Sequence, residues 1–402
     1  MQNSARTNRN FVTILLSSDV DFDRFPFGGI LSLLKDYLAY LPADIATHIV
    51  LVGITTQKEM VGKGSQRQFG SNTYRFLPVA YVQPESKGSI RLAYNLGVIK
   101  HFLKIKAIAP DVIYAHSNEN GLLLRFLFPT KRVVVHFHNI ENLVETCKYP
   151  FLRNSFLVGL YDLLCVRLLI YLTNRIIINI DAERFKSFIS RYGSSIAKFV
   201  RIPPLINTQL FKPSQENAMR RKLGLTETDP VLVFHGRLEY FKGIDLVIDA
   251  MKIVVSRLPN ARLLIIGDGT EKISLVQQCQ RLGLDQQVIF MGSVPREKVG
   301  DYLSCADVFV TGTHFEMISV ALLESIACGL LVVTTKVGGV NDIIVNGYNG
   351  FCVESRNPAE MAEKIMSCLE MDKTLARRNV LAVAEQFFPE KVIPLLIQAL
   401  LD

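Results

Sequence analysis

The chain has 402 residues, 49% of them hydrophobic, enough for two or three domains with separate cores. Its seven cysteines are scattered without a CxxC pair or metal-ligand spacing, which reads as buried thiols of a reducing compartment; no apolar run reaches the ~18 to 20 uncharged residues of a membrane span, and MQNSARTNRN leads into no cleavable signal. The net charge of +8 is uneven, with 24 Lys and Arg against 14 Asp and Glu in residues 1–200 and 21 against 23 in the remainder, so the first half implies an anionic partner: a phosphorylated substrate, a phospholipid surface or, least supported for want of any nucleic-acid motif, nucleic acid.

In chain order, Phe11–Leu16 predicts a first strand ending in the loop SSDVDFDRFPFGG, after which Gly28-Gly29 opens a helix over Ile30–Leu41. A glycine pair at a helix start lets backbone and its free N–H groups approach an anion. Asp19, Asp21 and Asp23 alternate like a metal-binding DxD, but three acids ahead of a helix suit a solvated turn, and no metal site is expected. His48–Ile54 reads as a second strand and Gly62–Gly70 as a flexible loop. Lys87–Ile108 reads as a basic amphipathic helix, in which Lys87, Arg91, Lys100, Lys104 and Lys106 beside Tyr94, Leu96 and Phe102 suit an anionic membrane surface, although each lysine singly suits a solvated face.

Strands follow at Asp111–His116 and Arg132–Asn139. His136 and His138 share one face of the latter, and two histidines without a third ligand do not make a zinc site. His116 either flanks an acceptor or serves the core. Tyr149–Leu172 is the most apolar helical stretch; Arg153, Asp162 and Arg167 argue against a span, leaving a core helix or one that dips into a membrane. Arg175–Asn179 is the next strand, and the proline-containing Lys198–Pro213 reads as a domain junction.

Val231–Phe234 starts a second run of strands and helices. The loop after it carries Arg237 and Lys242, a planar fork and a point charge that can converge on a diphosphate, and Gly243 leads into an amphipathic helix. The strand Arg262–Ile266 ends in Gly267-Asp268-Gly269, a tight turn that allows a nucleotide base to approach backbone, and Val288–Phe290 leads into Ser293 and Val294. Asp307–Val310 reads as a buried strand, Ser319 as the N-cap of a helix over Val320–Cys328, Gly329 as its stop and Leu330–Val333 as the next strand. This βαβ unit puts Glu316 beyond the carboxyl end of a parallel strand, where ligands sit. Glu324 lies roughly 10 Å further, at about 1.5 Å per helical residue. That spacing suits two grips on one long ligand rather than acid/base work on one bond, and the N–H groups at Ser319, Val320 and Ala321 favour an anion between them. Asn346–Gly350 reads as a turn-rich hairpin before Phe351–Val353, with closing helices beyond.

Glu316-x7-Glu324 followed by Ala327-Cys328-Gly329, an apolar run and Val337-Gly338-Gly339 resembles the donor-site signature of retaining family 4 glycosyltransferases, and Gly236-Arg237-x4-Lys242-Gly243 resembles that family's phosphate clamp. The resemblance implies an α/β fold of the GT-B type, two Rossmann-like domains facing a central cleft. Residues 1–203 would bind the acceptor, 204–385 the nucleotide sugar, and 386–402 would form a helix crossing back to the first domain. It implies that Glu316 holds hydroxyls of the transferred sugar and Glu324 the ribose, with Met317, Ile318, Ser319 and Val320 lining the donor site. Gly28 and Gly29 would lie over the donor phosphates, Gly267, Asp268, Gly269, Ser293 and Val294 would border the base, and His138, within Phe137-His138-Asn139, would contact the sugar near the reacting centre. Two departures stand out: Met317 and Ile318 replace the small residues usual after the first Glu, and Leu205-Ile206 replace the linker Asn-Gly.

The activity implied is transfer of a hexose-type sugar from a nucleotide diphosphate sugar, with retention and without metal or cofactor. The acceptor hydroxyl would belong to a glycan or a lipid-linked intermediate in polysaccharide or glycolipid assembly, handled by a cytoplasmic protein, peripheral on the cytoplasmic face of a membrane. Two alternatives are a non-catalytic partner subunit, which would have no need of the donor grip, and a GT-B nucleotide-sugar epimerase, which would convert donor without acceptor.

Overall fold

The β-branched runs of the first half become the strands of one sheet. The computed structural model describes residues 12–19, 29–83, 89–137, 155–180, 182–192, 196–214, 218–316 and 318–402. It divides into two units, one of Met1–Asn179, Phe185–Ile202 and Ile393–Asp402, the other of Ile180–Arg184 and Pro203–Val392.

The first unit holds β1 (Ile14–Ser17), β2 (Ile49–Thr55), β3 (Ser65–Phe69), β4 (Asn72–Tyr81), β5 (Val112–Ala115), β6 (Arg132–Phe137), β7 (Arg175–Ile178) and β8 (Phe199–Arg201). They are ordered β3-β4-β2-β1-β5-β6-β7-β8, parallel except for the β3–β4 pair. Strands β1, β2 and β5 are buried along their whole length, as expected where helices cover both faces of a parallel sheet.

Three expectations change here. Gly62–Gly70 is not a flexible loop: Ser65–Phe69 pairs antiparallel with β4 through a turn at Gly70, whose φ is +58°. Its polar residues gave no strand signal because an edge strand needs little apolar surface facing inward, and here Phe69 alone is buried. The helix expected over Lys87–Ile108 is two, Ile90–Lys100 with Ser89 as N-cap and Phe102–Ala107, divided at His101; Lys87 lies outside the described residues. Within Tyr149–Leu172, the described part Ser155–Leu172 is helical but only 17% buried, so it is no core helix. It is long and apolar enough to cross a membrane by length and composition. Val166, Leu169 and Ile170 face inward, while Phe156, Leu163 and Tyr171 are exposed.

The second unit holds β9 (Val231–His235), β10 (Arg262–Ile266), β11 (Val288–Gly292), β12 (Val308–Thr311), β13 (Leu331–Thr335) and β14 (Gly350–Val353). The order is β11-β10-β9-β12-β13-β14 and every pair is parallel. Asn346–Gly350 is therefore not a hairpin, since β14 joins β13 in parallel; buried Asn349 closes the turn, accepting from the Val345 N–H and donating to the Ile343 carbonyl, both at 2.8 Å. The closing helix Pro389–Leu401 ends in the first unit, where Arg132 at the start of β6 donates to the Leu400 and Ala399 carbonyls at 3.0 and 3.3 Å.

Candidate active site

From β9 the chain runs outward on one side to β10 and β11, then returns to β12 on the other, so the crevice beyond the carboxyl ends of β9 and β12 is the switch point of this sheet. Two loops meet there backbone to backbone. Gly243 has φ +61°, and a Cβ on it would fall on the Gly312 carbonyl, while one on Gly312 would meet the Gly243 carbonyl. Hydrogen bonds tie the same loops: His314 N–H to the Phe241 carbonyl at 2.8 Å, Thr313 Oγ1 to that carbonyl at 2.9 Å, and Thr311 Oγ1 to the Lys242 carbonyl at 3.3 Å. Arg356 donates to the Gly312 carbonyl and pairs with Asp245 at 3.0 Å.

This contact brings Lys242 and Glu316 together at 2.5 Å, with side chains 14% and 20% exposed. Arg237 is exposed, and its guanidinium stands 5.8 Å from the Phe241 ring centroid, with the Lys242 ammonium 5.4 Å from the same ring. Both cations of the expected clamp therefore flank one aromatic side chain. Ser319 is buried and caps the Val320–Ala327 helix, its Oγ accepting from the Leu322 N–H at 3.4 Å, the N-cap that the sequence suggested.

Glu324 is buried on that helix and has two neighbours that sequence spacing did not reveal. Arg296 donates to its Oε1 from Nε at 3.1 Å and from Nη2 at 2.7 Å. His235, the last residue of β9, places Nδ1 3.7 Å from Oε2. Its Nε2 lies 2.9 Å from the Ala321 carbonyl, which can only accept, so Nε2 carries the hydrogen. Burial lowers the His235 pKa to about 4, leaving the ring neutral near pH 7. The available signal was weak: a histidine closing a buried strand and an arginine opening a helix after Pro295.

The glycine turn after β10 has a packing reason of its own. A Cβ at Gly267 would fall on the Gly236 carbonyl and one at Gly269 on the Leu238 carbonyl, while Leu238 N–H donates to the Asp268 carbonyl at 2.9 Å. Asp268 itself is exposed and pairs with Lys272 at 2.9 Å. Ser293 is exposed, whereas Val294 and Ile318 are half-buried against the core of the unit, so part of the bulk of Ile318 is directed away from the loop. Val320 is half-buried. Gly29 begins the helix Gly29–Tyr40 of the first unit; Gly28, His138 and Met317 lie outside the described residues.

The first unit has its own switch point, between β1 and β5. Asp19, beyond β1, pairs with Arg91 at 3.4 Å, and Arg91 reaches Glu119 at 3.4 Å. Burial raises the Asp19 pKa against the opposing pull of Arg91. Asp21 and Asp23 lie outside the described residues. In the same unit Ser17 Oγ donates to Asn120 Oδ1 at 2.7 Å and Tyr161 OH to Glu119 at 3.1 Å. His136 is fully buried and bonded through Nδ1 to the Tyr114 hydroxyl at 2.6 Å, and the buried His116 ring lies 4.3 Å from that of Tyr114. Both histidines thus belong to an interior aromatic cluster.

Comparison with known proteins decides the family of the second unit: residues 215–381 match the model of glycosyl transferases group 1. They form a glycosyl transferases group 1 domain. A D-inositol 3-phosphate glycosyltransferase of Segniliparus rotundus is 24% identical over 311 residues, 76% of this chain and 69% of that protein. One of Geodermatophilus obscurus is 30% identical over 218 residues, 52% of this chain, so that the match spans about half, 47%, of the relative. Among solved structures, Anabaena Alr3699/HepE in complex with UDP and glucose superposes with a TM-score of 0.71 at 21% identity, covering 96% of this chain and 99% of its own. That likeness establishes the GT-B fold, in which the group 1 domain is the second of two Rossmann-like units.

Proposed function

We propose that this chain transfers a sugar from a nucleotide diphosphate sugar to an acceptor hydroxyl, with retention. The observation that carries the reading is the gathering of Arg237, Lys242, Glu316, the helix start at Ser319 and Glu324 around one sheet switch point of a group 1 domain. Glu316 would accept from hydroxyls of the sugar and Glu324 from the ribose. Arg237, Lys242 and the helix N–H groups would meet the charge that develops on the departing diphosphate, the contribution that usually dominates such catalysis. Lys242 is ion-paired with Glu316, so a donor has to draw it onto phosphate while its sugar takes over Glu316.

For the acceptor we favour a lipid-linked intermediate at an anionic membrane surface. Leu92, Leu96, Ile99 and Leu103, spaced by four, three and four residues, are 61%, 57%, 52% and 78% exposed. The exposed cations Lys100, Lys104 and Lys106 accompany them. The neighbouring helix Asn118–Leu127 exposes Phe126, and Ser155–Leu172 beside it exposes Phe156, Leu163 and Tyr171. Apolar side chains beside lysines fit an anionic bilayer face better than bulk water.

The deciding experiment is a thermal-shift and turnover screen with UDP-, GDP-, ADP- and TDP-sugars. One donor should raise the melting temperature of the wild type, by the equivalent of about 2.7 kcal/mol at a hundred times its Kd. Lys242→Ala should lose that shift and Glu316→Ala should lose turnover. Silence across the panel in folded protein would favour a non-catalytic partner subunit, and donor conversion without acceptor an epimerase.

A further inference from the structure

The first unit gathers charges at its own switch point in a pattern that helix stability does not explain. Arg91 stands in the first turn of the helix Ile90–Lys100, where a cation opposes the helix dipole, so its place there calls for partners outside the helix. It has two: Nε lies 3.4 Å from Asp19 Oδ2 and Nη1 lies 3.4 Å from Glu119 Oε1. Two carboxylates thus share one guanidinium, and the side chains of Asp19, Glu119 and Arg91 are 19%, 25% and 41% exposed, open enough for a ligand to reach. With both acids ionised the group is net negative. Burial raises the Asp19 pKa, and a proton there brings the group only to neutral. Among the described residues, then, it holds no surplus positive charge for a phosphate. The frame beneath it is fixed: Asn95 donates to the Arg91 carbonyl at 3.0 Å, Asn120 donates to Asn95 Oδ1 at 3.1 Å, and Ser17 Oγ donates to Asn120 Oδ1 at 2.7 Å.

Glu119 Oε1 also receives the Tyr161 hydroxyl, whereas its Oε2 is buried and has no hydrogen-bond partner among the described residues. Tyr161 reaches Glu119 because of an irregularity in its helix: Asp162–Leu168 is wound as a π-helix. In an α-helix residues five apart stand about 140° apart around the axis, while i→i+5 bonding brings them toward one side. Tyr161 and the buried Val166 are five apart, and so are Asp162 and Arg167, which pair at 2.8 Å. The wider turn therefore lets one helix bury Val166 and still hold Tyr161 on Glu119.

We propose that Asp19, Arg91 and Glu119 form a subsite for the uncharged, hydroxyl-bearing ring of a glycosyl acceptor, with Tyr161 a positioning residue that fixes Glu119 Oε1 and so presents Oε2 to a ring hydroxyl. A sugar hydroxyl both donates and accepts, so neighbouring hydroxyls can donate to Glu119 Oε2 and Asp19 and accept from Arg91. A phosphate oxygen accepts and is repelled by the two acids; an ammonium donates and offers Arg91 nothing. This deepens, and rests on, the reading of the chain as a sugar transferase. It also divides a lipid-linked acceptor in two: its terminal ring enters the subsite, and its phosphate stays outside, where the exposed lysines are.

The test uses the full-length protein, the nucleotide sugar selected by the screen above, and two sets of acceptors: methyl glycosides of glucose, galactose, mannose and N-acetylglucosamine, and the phosphates glucose 6-phosphate and D-inositol 3-phosphate. At least one neutral glycoside should be glycosylated, with kcat/KM about ten-fold or more above that of either phosphate. A hydrogen bond to a charged group corresponds to roughly ten-fold in affinity, so Tyr161→Phe should raise KM for that glycoside by about three- to ten-fold, with a smaller change in kcat and none in nucleotide affinity. Glu119→Gln, which keeps the size and loses the charge, should raise KM at least as much. A merely structural Tyr161 would lower the melting temperature and leave KM in place. If Glu119→Gln is poorly folded, Tyr161→Phe decides. Faster transfer to a phosphate than to any neutral glycoside, no transfer to a neutral glycoside by protein that binds its donor, or an unchanged KM in folded Tyr161→Phe overturns the inference and leaves the donor reading standing. Failure of the wild type to bind any nucleotide sugar removes that reading, and the inference with it.

Discussion

Glu316→Ala should separate two events that the Lys242–Glu316 ion pair now couples. The two groups meet at 2.5 Å in a partly buried setting. At an effective dielectric constant of about 20 their Coulomb attraction is about 6 to 7 kcal/mol, and desolvation of the two ions offsets most of it. The net value lies between the 0 to 1 kcal/mol of an exposed pair and the 3 to 5 kcal/mol lost on breaking a buried one, so about 1 to 2 kcal/mol is a fair figure. A diphosphate must overcome that amount to take Lys242. In Glu316→Ala the lysine is released beforehand, and the nucleoside diphosphate that the protein prefers should bind about 5- to 30-fold tighter than to the wild type. Sugar transfer by the same variant should nevertheless fall by about a hundred-fold or more, because the sugar has lost its acceptor. Lys242→Ala should lose both binding and transfer. Titration calorimetry with UDP, GDP and ADP, alongside a turnover assay, reads these opposite signs. Equal affinity of Glu316→Ala and wild type for the diphosphate would refute the reasoning, since it would mean that the pair does not hold Lys242 back.

Acid should weaken both units through their buried histidines. Burial lowers His136 and His235 to about 4 and His116 well below the ordinary value, whereas the unfolded chain takes up these protons near pH 6.5. Stability is then fully present above about pH 7 and is lost as pH falls, by about 2 kcal/mol at pH 5 for each group at 4. Urea midpoints at pH 7.5 and 5.0 check this, and the difference should shrink in His136→Gln. Gly243→Ala should destabilise the second unit by about 2 kcal/mol or more, since the left-handed backbone alone costs about 1 to 2 kcal/mol and the added Cβ meets the Gly312 carbonyl; a loss under about 0.5 kcal/mol in urea unfolding would contradict the tight loop contact. Leu96→Glu with Leu103→Glu should reduce flotation with phosphatidylglycerol vesicles by about ten-fold or more, because each leucine withdrawn from a bilayer forfeits about 1.5 to 3 kcal/mol. Wild-type protein that ignores such vesicles, or that floats equally well with neutral phosphatidylcholine, would count against the anionic docking face.

The sequence was most informative where strands are buried on both faces. Arg262–Ile266 was predicted residue for residue, and Ser319 was recognisable as a cap from its chemistry and the apolar run behind it. Such segments are legible because sheet burial and capping depend on near neighbours. Ser65–Phe69 escaped notice because an edge strand is made by its partner, not by its own composition. The break at His101 was hidden inside one continuous amphipathic pattern. In the candidate site, spacing and resemblance picked out Arg237, Lys242, Glu316 and Glu324, and the structure joins Lys242 to Glu316 across 74 residues. His235 and Arg296 were missed for a different reason. Their relation to Glu324 is three-dimensional, arising where β9, the segment after β11 and the Val320–Ala327 helix converge, and no periodicity links residues 235, 296 and 324. The glycine turn at 267–269 carries a second constraint that the sequence did not show, since its glycines also accommodate the protein's own backbone.

The path of the chain has a consequence for how the molecule is made. Ile393–Asp402 belong to the first unit, yet the ribosome reaches them only after all of Pro203–Val392 has been synthesised. Arg132, at the start of β6, therefore waits through most of translation for the Ala399 and Leu400 carbonyls it will bind. The first unit is begun first and finished last, so its completion follows synthesis of the second rather than preceding it, contrary to the usual N-terminal-first order of domains. An expression fragment that stops before residue 393 would lack part of the first unit, so any loss of stability should be sought there as well as near the cut.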